Sequence, residues 1–564
     1  MKQPRARVVL MWHMHQPSYR TETERTYQLP WTYLHAIKDY VDMAALLEQE
    51  PGARAVVNFA PILVEQILDY AKQVDRYFVR HIRIKDPYLA ALVDPVLPVQ
   101  EDERALLIQQ CLRANRERLI QRFPAYQRLA DFAETALAQR RCLSYLNSQF
   151  VADLLVWYHL AWLGETVRRT DERIQRLMAK EHNYSLHDRR SLLAVIGELL
   201  SSVVPRYQAL VGAGQVELSM NPYSHPILPL MLEFTSAREA MPDCNLPQAP
   251  AYPDGEARAR WQLETGKAVF KQHFGVEPVG CWPSEGALSN ATLALLAENG
   301  FRWTATGESV LRHSLSKEQP NSDACIHHRY EVDGHKLGCF FRDDQLSDSI
   351  GFRYATWHAD DAVADLLHHL GNIASACKDQ SDPVISIILD GENAWEYYPE
   401  NGYYFLSALY RALVESEDFE LTTFEQIEAS GVQTRHINQL VAGSWVYGTF
   451  STWIGDADKN RGWDLLVDAK KAYDQACAAG TVTAKNKARI ERQLALCEGS
   501  DWFWWFGDYN PSESVSDFER LFRNQLTSLY ELLDAEPPEQ LTHRISIGRG
   551  APEQGGTMRR GSDH

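Results

Sequence analysis

Two acidic residues stand where a strand-like run gives way to a loop: Glu285 at the end of PVGCWPSEG, and Asp390 within VISIILDGENAW. Residues at the C-terminal ends of parallel strands gather around one opening, so this pair could face a common pocket. A carboxylate pair is what glycosidic cleavage requires: one attacks the anomeric carbon or activates water, and the other protonates the leaving oxygen. Polar groups end other strand-like runs. His13, His15 and Gln16 follow ARVVLMW, Asn221 and His225 follow QVELSMNP, and Glu392 sits beside Asp390. Trp282 lies just before Glu285, and flat aromatic faces suit the C–H faces of sugar rings.

Each of these residues also has an ordinary structural use. A carboxylate at a strand end often serves as a helix N-cap or an ion-pair partner. His13 and His15 alternate along a strand and point the same way, as a metal pair would. With no clear third and fourth ligands, hydrogen bonding to sugar hydroxyls is the reading adopted, and neither metal nor cofactor is expected. Five consecutive aromatics, Trp502 to Phe506, read as helix-packing core. They cannot all face one side of a helix, so some should be exposed or line a groove. The sequence has no GxSxG elbow, GxxxxGK[ST] loop, HExxH or GxGxxG fingerprint, which removes the usual signatures of serine hydrolases, nucleotide-dependent enzymes and zincins. Metal-dependent sugar deacetylation through a His/Asp cluster stays open, as does a non-catalytic glucan-binding role.

The elements that must position these groups repeat one design: a β-branched run, a polar turn, then a helical stretch. Five such runs are legible, at ARVVLMW, ARAVVNFA, QVELSMNP, PVGCWPSEG and VISIILDGENAW. This alternation predicts an α/β fold with a parallel sheet closed into a (β/α) barrel over residues 1–410. Long helical patterns over about 100–210 predict an insertion, and residues 411–544 read as a C-terminal α-helical domain. The Gly-, Arg- and Ser-rich stretch 545–564 is expected to be disordered. A chain of 564 residues exceeds a single core, in keeping with two domains. The net charge of −18 argues against nucleic acid. No membrane span is expected. Nine scattered cysteines without a CxxC pair read as reduced core thiols of a cytoplasmic protein rather than as a zinc site or a disulfide framework.

Taken together, the strand-end motifs resemble the five ordered regions of glycoside hydrolase family 57. His15-Gln16-Pro17 resembles the first, Gly214–Glu217 through His225-Pro226 the second, and Trp282–Gly286 the third. Leu389–Trp395 resembles the fourth and Trp453–Trp463 the fifth, so the likeness spans most of the chain. The resemblance implies a (β/α)7 barrel followed by a helical bundle, and a retaining mechanism on α-glucans with Glu285 as nucleophile and Asp390 as general acid/base. It implies substrate contacts from His13, His15, Gln16, Glu217, His225, Trp282, Glu392 and Trp395. Arg342 and Asp343, in FRDDQLSDSIGFRY, form either a further substrate-facing loop or a surface charge network. Trp445, Trp453, Asp456 and Trp463 are candidates for acceptor-side contacts. Within the family the chain looks most like α-amylase and amylopullulanase members, which predicts hydrolysis of α-1,4 and also α-1,6 bonds in starch, glycogen or maltodextrins. The alternative is transglycosylation, as a 4-α-glucanotransferase or a branching enzyme.

Overall fold

The computed structural model describes residues 6–318, 325–378, 380, 382–550 and 558. Seven strands build its centre: β1 (Ala6–Met14), β2 (Ala55–Phe59), β3 (Val216–Met220), β4 (Gly280–Cys281), β5 (Trp303–Gly307), β6 (Gly338–Arg342) and β7 (Val384–Asp390). Each pairs in parallel with the next, and β7 returns to β1, so the sheet closes into a (β/α)7 barrel. Runs such as VVLMW and VISIILD form strands because β-branched side chains pack well on a pleat covered on both faces. Nearly every residue of β1 and β7 is buried.

The register aligns the chemistry. His13 lies opposite both Asp390 and Asn58 across the two neighbouring strands. Inside the barrel, Val9, Met11, Val56, Trp303, Phe340 and Ile388 pack together. Phe424, from the helix Phe424–Ser430, stacks on Phe340, packs at a tilt against Trp303 and closes the N-terminal end.

A helical run from Pro61 to Gly212 fills the connection between β2 and β3, and the stretch 100–210 falls within it. Two short strands past residue 411, Phe419–Thr422 and Thr434–Ile437, extend the barrel's sheet. The sheet therefore reaches beyond the expected edge of the barrel. After it come the helices Ala457–Ala478, Lys487–Cys497, Asp501–Trp505 and Ser512–Leu532. They pack against the open end of the barrel, with Phe518 edge-on to Tyr19. No helix among the described residues is long and apolar enough to cross a membrane.

The expected disordered tail is corrected at its start. Ile545 is buried, the Ser546 hydroxyl accepts from the Gly507 N–H at 2.9 Å, and Gly550 pairs with Pro511. The remainder of the tail, apart from Met558, lies outside the described residues.

Candidate active site

A cleft at the C-terminal mouth of the barrel brings together His13, His15, Gln16, Glu285, Arg342, Asp390, Glu392 and Trp445. Each is placed by a strand end or by a loop pinned to one. Asp390 is the last residue of β7 and Arg342 the last of β6. Glu285 sits on a tight turn just after β4, at φ 59° and ψ 22°. That left-handed conformation is disfavoured for a residue with a Cβ and costs on the order of 1–3 kcal/mol. The turn is held because residues 285–288 pair with the segment around Gly443: Leu288 bridges Gly443, and the Trp445 N–H donates to the Glu285 carbonyl at 3.0 Å. Gly286 follows at φ 60°, and a Cβ there would lie 2.8 Å from the Trp282 ring.

The two carboxylates occupy different surroundings. The Trp445 indole N–H donates to Glu285 Oε2 at 2.9 Å, an arrangement that favours the ionised form. Burial raises the Asp390 carboxyl from 3.8 to about 6, opposed by the Asn393 amide at 3.1 Å and by His15 and Arg342. Burial also pushes the neighbouring Glu392 well above the usual carboxylate range. Glu392 accepts hydrogen bonds from Gln16, at 2.6 Å, and from Tyr40.

Three imidazoles stack beside the carboxylates. His15 and His225 lie 3.8 Å apart at 14°, and His13 lies 5.2 Å from His225. His13 is fixed by Asn58 at 2.7 Å, and burial together with the His15 charge lowers it to about 3, so it is neutral. His225 is likewise held well below its ordinary value by burial and by the other two rings. It contacts Ser500 at 2.8 Å, while His15 pairs with Asp501 at 2.9 Å. His15 Nδ1 and His225 Nε2 are buried without a protein hydrogen-bond partner. His15, His225 and Asp501 also offer ligand atoms close enough together to hold a cation; a second such group, Cys325, His327 and Cys377, lies away from the cleft.

Arg342 belongs to a buried network rather than a surface one. Its guanidinium donates to the Ile388 carbonyl at 2.8 Å and to Asp344 and Asp348, both at 2.6 Å, and it faces the Trp445 ring at 5.6 Å.

Several expected contacts lie elsewhere. Glu217 is the second residue of β3, about 10 Å of strand from its C-terminal end at about 3.3 Å per residue. Its carboxylate accepts from Trp303 Nε1 at 2.6 Å and from the Glu425 N–H at 2.7 Å, at the closed end of the barrel. Trp282 lies beneath Trp445, and Trp395 packs edge-on to Trp12, both fully buried. Asp343 turns away from the cleft to meet His327 at 2.8 Å. Trp453 and Trp463 are core residues, packed on Trp504 and Phe503 respectively, and Asp456 caps the helix Ala457–Ala478. The signals that placed these residues were motif membership and residue type, and neither specifies which way a side chain turns.

The cleft also contains residues that strand-end reasoning misses. Asp501, Trp504, Trp505 and Phe518 come from the C-terminal helices and wall it on one side. Trp504 and Trp505 are the groove-facing members of the aromatic run, while Trp502, Phe503 and Phe506 are core. Asp501 carries no sequence signal beyond its place at the head of that run.

A parallel (β/α)7 barrel with a carboxylate pair at its mouth and a helical cover defines a class of carbohydrate-active enzymes. The sequence profile described as glycosyl hydrolase family 57 matches residues 9–440, and the chain belongs to that family. No curated protein matches the chain. Among solved structures, a branching enzyme of family 57 from Thermococcus kodakaraensis superposes with a TM-score of 0.58 at 14% identity, over 95% of this chain and 93% of its own. An α-amylase from Thermotoga maritima gives a TM-score of 0.56 at 15% identity, over 96% and 94%. A family 57 branching enzyme from Pyrococcus horikoshii gives 0.55 at 14% identity, over 95% and 98%. At these identities the likenesses establish the fold.

Proposed function

We propose that the protein is a retaining enzyme of α-glucans, with Glu285 as nucleophile, Asp390 as general acid/base and water as the final acceptor. The reading rests on one observation above the others: two carboxyl groups share a cleft in electrostatically different settings. Burial keeps Asp390 able to hold a proton near pH 6, while an indole N–H supports Glu285 as an anion. In the first step Asp390 passes its proton to the glycosidic oxygen, the bond from that oxygen to C1 breaks, and a Glu285 oxygen bonds to C1. In the second step an acceptor hydroxyl attacks C1, its proton goes to Asp390, and the ester to Glu285 breaks. His15 Nδ1 and His225 Nε2, buried and unpaired in the protein, are suited to sugar hydroxyls.

A transglycosylase is the second reading, and one feature favours it. Trp445, Trp504, Trp505 and Phe518 wall the cleft with aromatic surface, which would shelter the glycosyl ester from water and offer a sugar acceptor a stacking face. The solved relatives carry names of both kinds, branching enzyme and α-amylase. Incubation of the protein and of Glu285→Gln with maltoheptaose and with pullulan separates the readings. Shorter oligomers alone, lost in the variant, mean hydrolysis, and cleavage of pullulan adds α-1,6 activity. Products longer than seven units mean glycosyl transfer to sugar. Near-normal turnover by Glu285→Gln would refute the assigned roles.

A further inference from the structure

Outside the cleft, one cluster of side chains has no role in sugar chemistry. Cys325 and His327 form a Cys-x-His pair just before the short strand Arg329–Val332, which leads into β6, and Cys377 caps the helix Ala359–Ala376 at its C-terminal end. Both thiols are free. The two sulfurs lie 3.4 Å apart, and Cys325 Sγ lies 3.5 Å from His327 Nδ1. All three ligand atoms fall within 4.8 Å of one another. Tetrahedral zinc, with Zn–S of about 2.3 Å and Zn–N of about 2.0–2.1 Å, separates its ligands by roughly 3.5–3.8 Å, close to these spacings.

The state of the histidine sharpens the argument. His327 Nε2 lies 2.8 Å from a carboxylate oxygen of Asp343. With Nε2 turned to that carboxylate, Nδ1 is the nitrogen that faces Cys325. Carboxylate-oriented imidazole of this kind is the usual second layer of a zinc site, where it fixes the tautomer and the ring. The site is also anchored: the His327 carbonyl accepts from the Val384 N–H at 2.9 Å at the start of β7, and Asp343 Oδ1 caps the helix Asp344–Asp348 through the Leu346 N–H at 2.8 Å. Cys377 is buried, whereas Cys325 and His327 are part-exposed, so an ion can enter and solvent can fill the fourth position.

We propose that Cys325, His327 and Cys377 form a binding site for a thiophilic divalent cation, zinc by its ligand set, that ties the approach to β6 to the helix preceding β7. Binding releases two protons from the Cys–His–Cys set to solvent, because each ligand coordinates through a deprotonated sulfur or nitrogen. Because Asp343 adjoins Arg342, the ion would steady one wall of the cleft without touching substrate. The proposal is independent of the catalytic assignment.

The test is cobalt titration of the full-length protein, reduced and stripped with chelator. One equivalent of Co2+ should produce thiolate-to-cobalt charge-transfer absorbance that Zn2+ abolishes. Cys325→Ser and Cys377→Ser should lose that band, and Cys244→Ser should keep it. Asp343→Asn, which retains an oxygen for the helix cap, should bind one equivalent about 10–100-fold more weakly. If either cysteine variant fails to fold, the wild-type protein still decides the matter, because Zn2+ should protect Cys325 and Cys377 together from alkylation. The proposal fails if the wild type shows no charge-transfer band or if Zn2+ leaves both thiols open to alkylation. It also fails if d–d absorbance appears without that band, which would place the ion at His15, His225 and Asp501.

Discussion

Asp390→Asn exchanges a buried carboxyl for a neutral amide of nearly the same shape. The wild-type group titrates at about 6 in the folded protein against an ordinary 3.8, because burial disfavours its ionised form. At about 1.4 kcal/mol per tenfold change in proton affinity, that gap corresponds to about 3 kcal/mol. The sign follows from the direction. A folded-state value raised above the unfolded one contributes stability that is present in full below about pH 4 and is lost as pH rises through about 6. At pH 8 the wild type must carry a buried, ionised Asp390 and the variant need not. Asp390→Asn should therefore match the wild type in stability near pH 4 and exceed it by up to about 3 kcal/mol at pH 8, while losing about 10²–10⁴-fold in turnover. Urea midpoints of the two proteins at pH 4.5, 6 and 8 provide the measurement, since titrating groups remote from Asp390 are common to both and cancel in the difference, leaving Asp390 and the neighbouring Glu392, which burial and the Asp390 charge both raise. A difference that does not change with pH, or a variant weaker than the wild type at pH 8, would refute the claim that burial is what holds the proton on Asp390.

Trp445→Phe keeps the ring but deletes the N–H given to Glu285 Oε2. A hydrogen bond to a charged group contributes about 1.5–3 kcal/mol, so kcat/KM on maltoheptaose should fall about 10–100-fold; an unchanged value would remove Trp445 from the support of the proposed nucleophile, Glu285. Gly286→Ala places a Cβ against the Trp282 ring at a positive φ. It should destabilise the protein by about 1–2 kcal/mol or more and displace Glu285, seen as a lower melting temperature together with lower turnover. The wild-type profile of kcat/KM should fall on the alkaline side with an apparent value near 6, as Asp390 loses its proton. Trp505→Ala opens the aromatic wall to water and should shift the ratio of transfer products to hydrolysis products toward hydrolysis; an unchanged ratio would mean that this wall does not select the acceptor.

Much of this architecture is legible in the sequence. Five of the seven barrel strands are marked by short runs that lead through a polar turn into a helical stretch, and the residues that follow or close β1, β4 and β7 converge on the cleft. The other two, WTATG and GCFFR, lack the valine or isoleucine found in each of those runs, so their strand character comes from pairing in the closed sheet. Glu217 shows a second limit. Motif membership places it near the site, but a strand has two ends, and only its position along β3 decides that it seals the closed end through Trp303. The cluster of Cys325, His327 and Cys377 shows a third: Cys-x-His is silent until folding brings Cys377, some fifty residues later, against it.

The division of the cleft between two parts of the chain bears on what the enzyme makes. Both carboxylates, the histidines, Arg342 and Glu392 fall inside residues 9–440, the stretch matched by the family profile. Trp445, Asp501, Trp504, Trp505 and Phe518 all lie beyond it. The groups proposed to break the bond thus come from the shared barrel, and part of the aromatic wall, Trp504, Trp505 and Phe518, from the helical cover. Breaking the bond requires only that the carboxylates stay in register, which β1, β4 and β7 enforce through the sheet. Choosing water or a sugar hydroxyl depends instead on how tightly the cover shelters the ester, and Trp445 touches both processes because its indole N–H supports Glu285 while its ring faces the cleft. Substitutions in the cover should therefore change the product spectrum with the carboxylates' chemistry intact, whereas Trp445→Phe should lower the rate along every route at once.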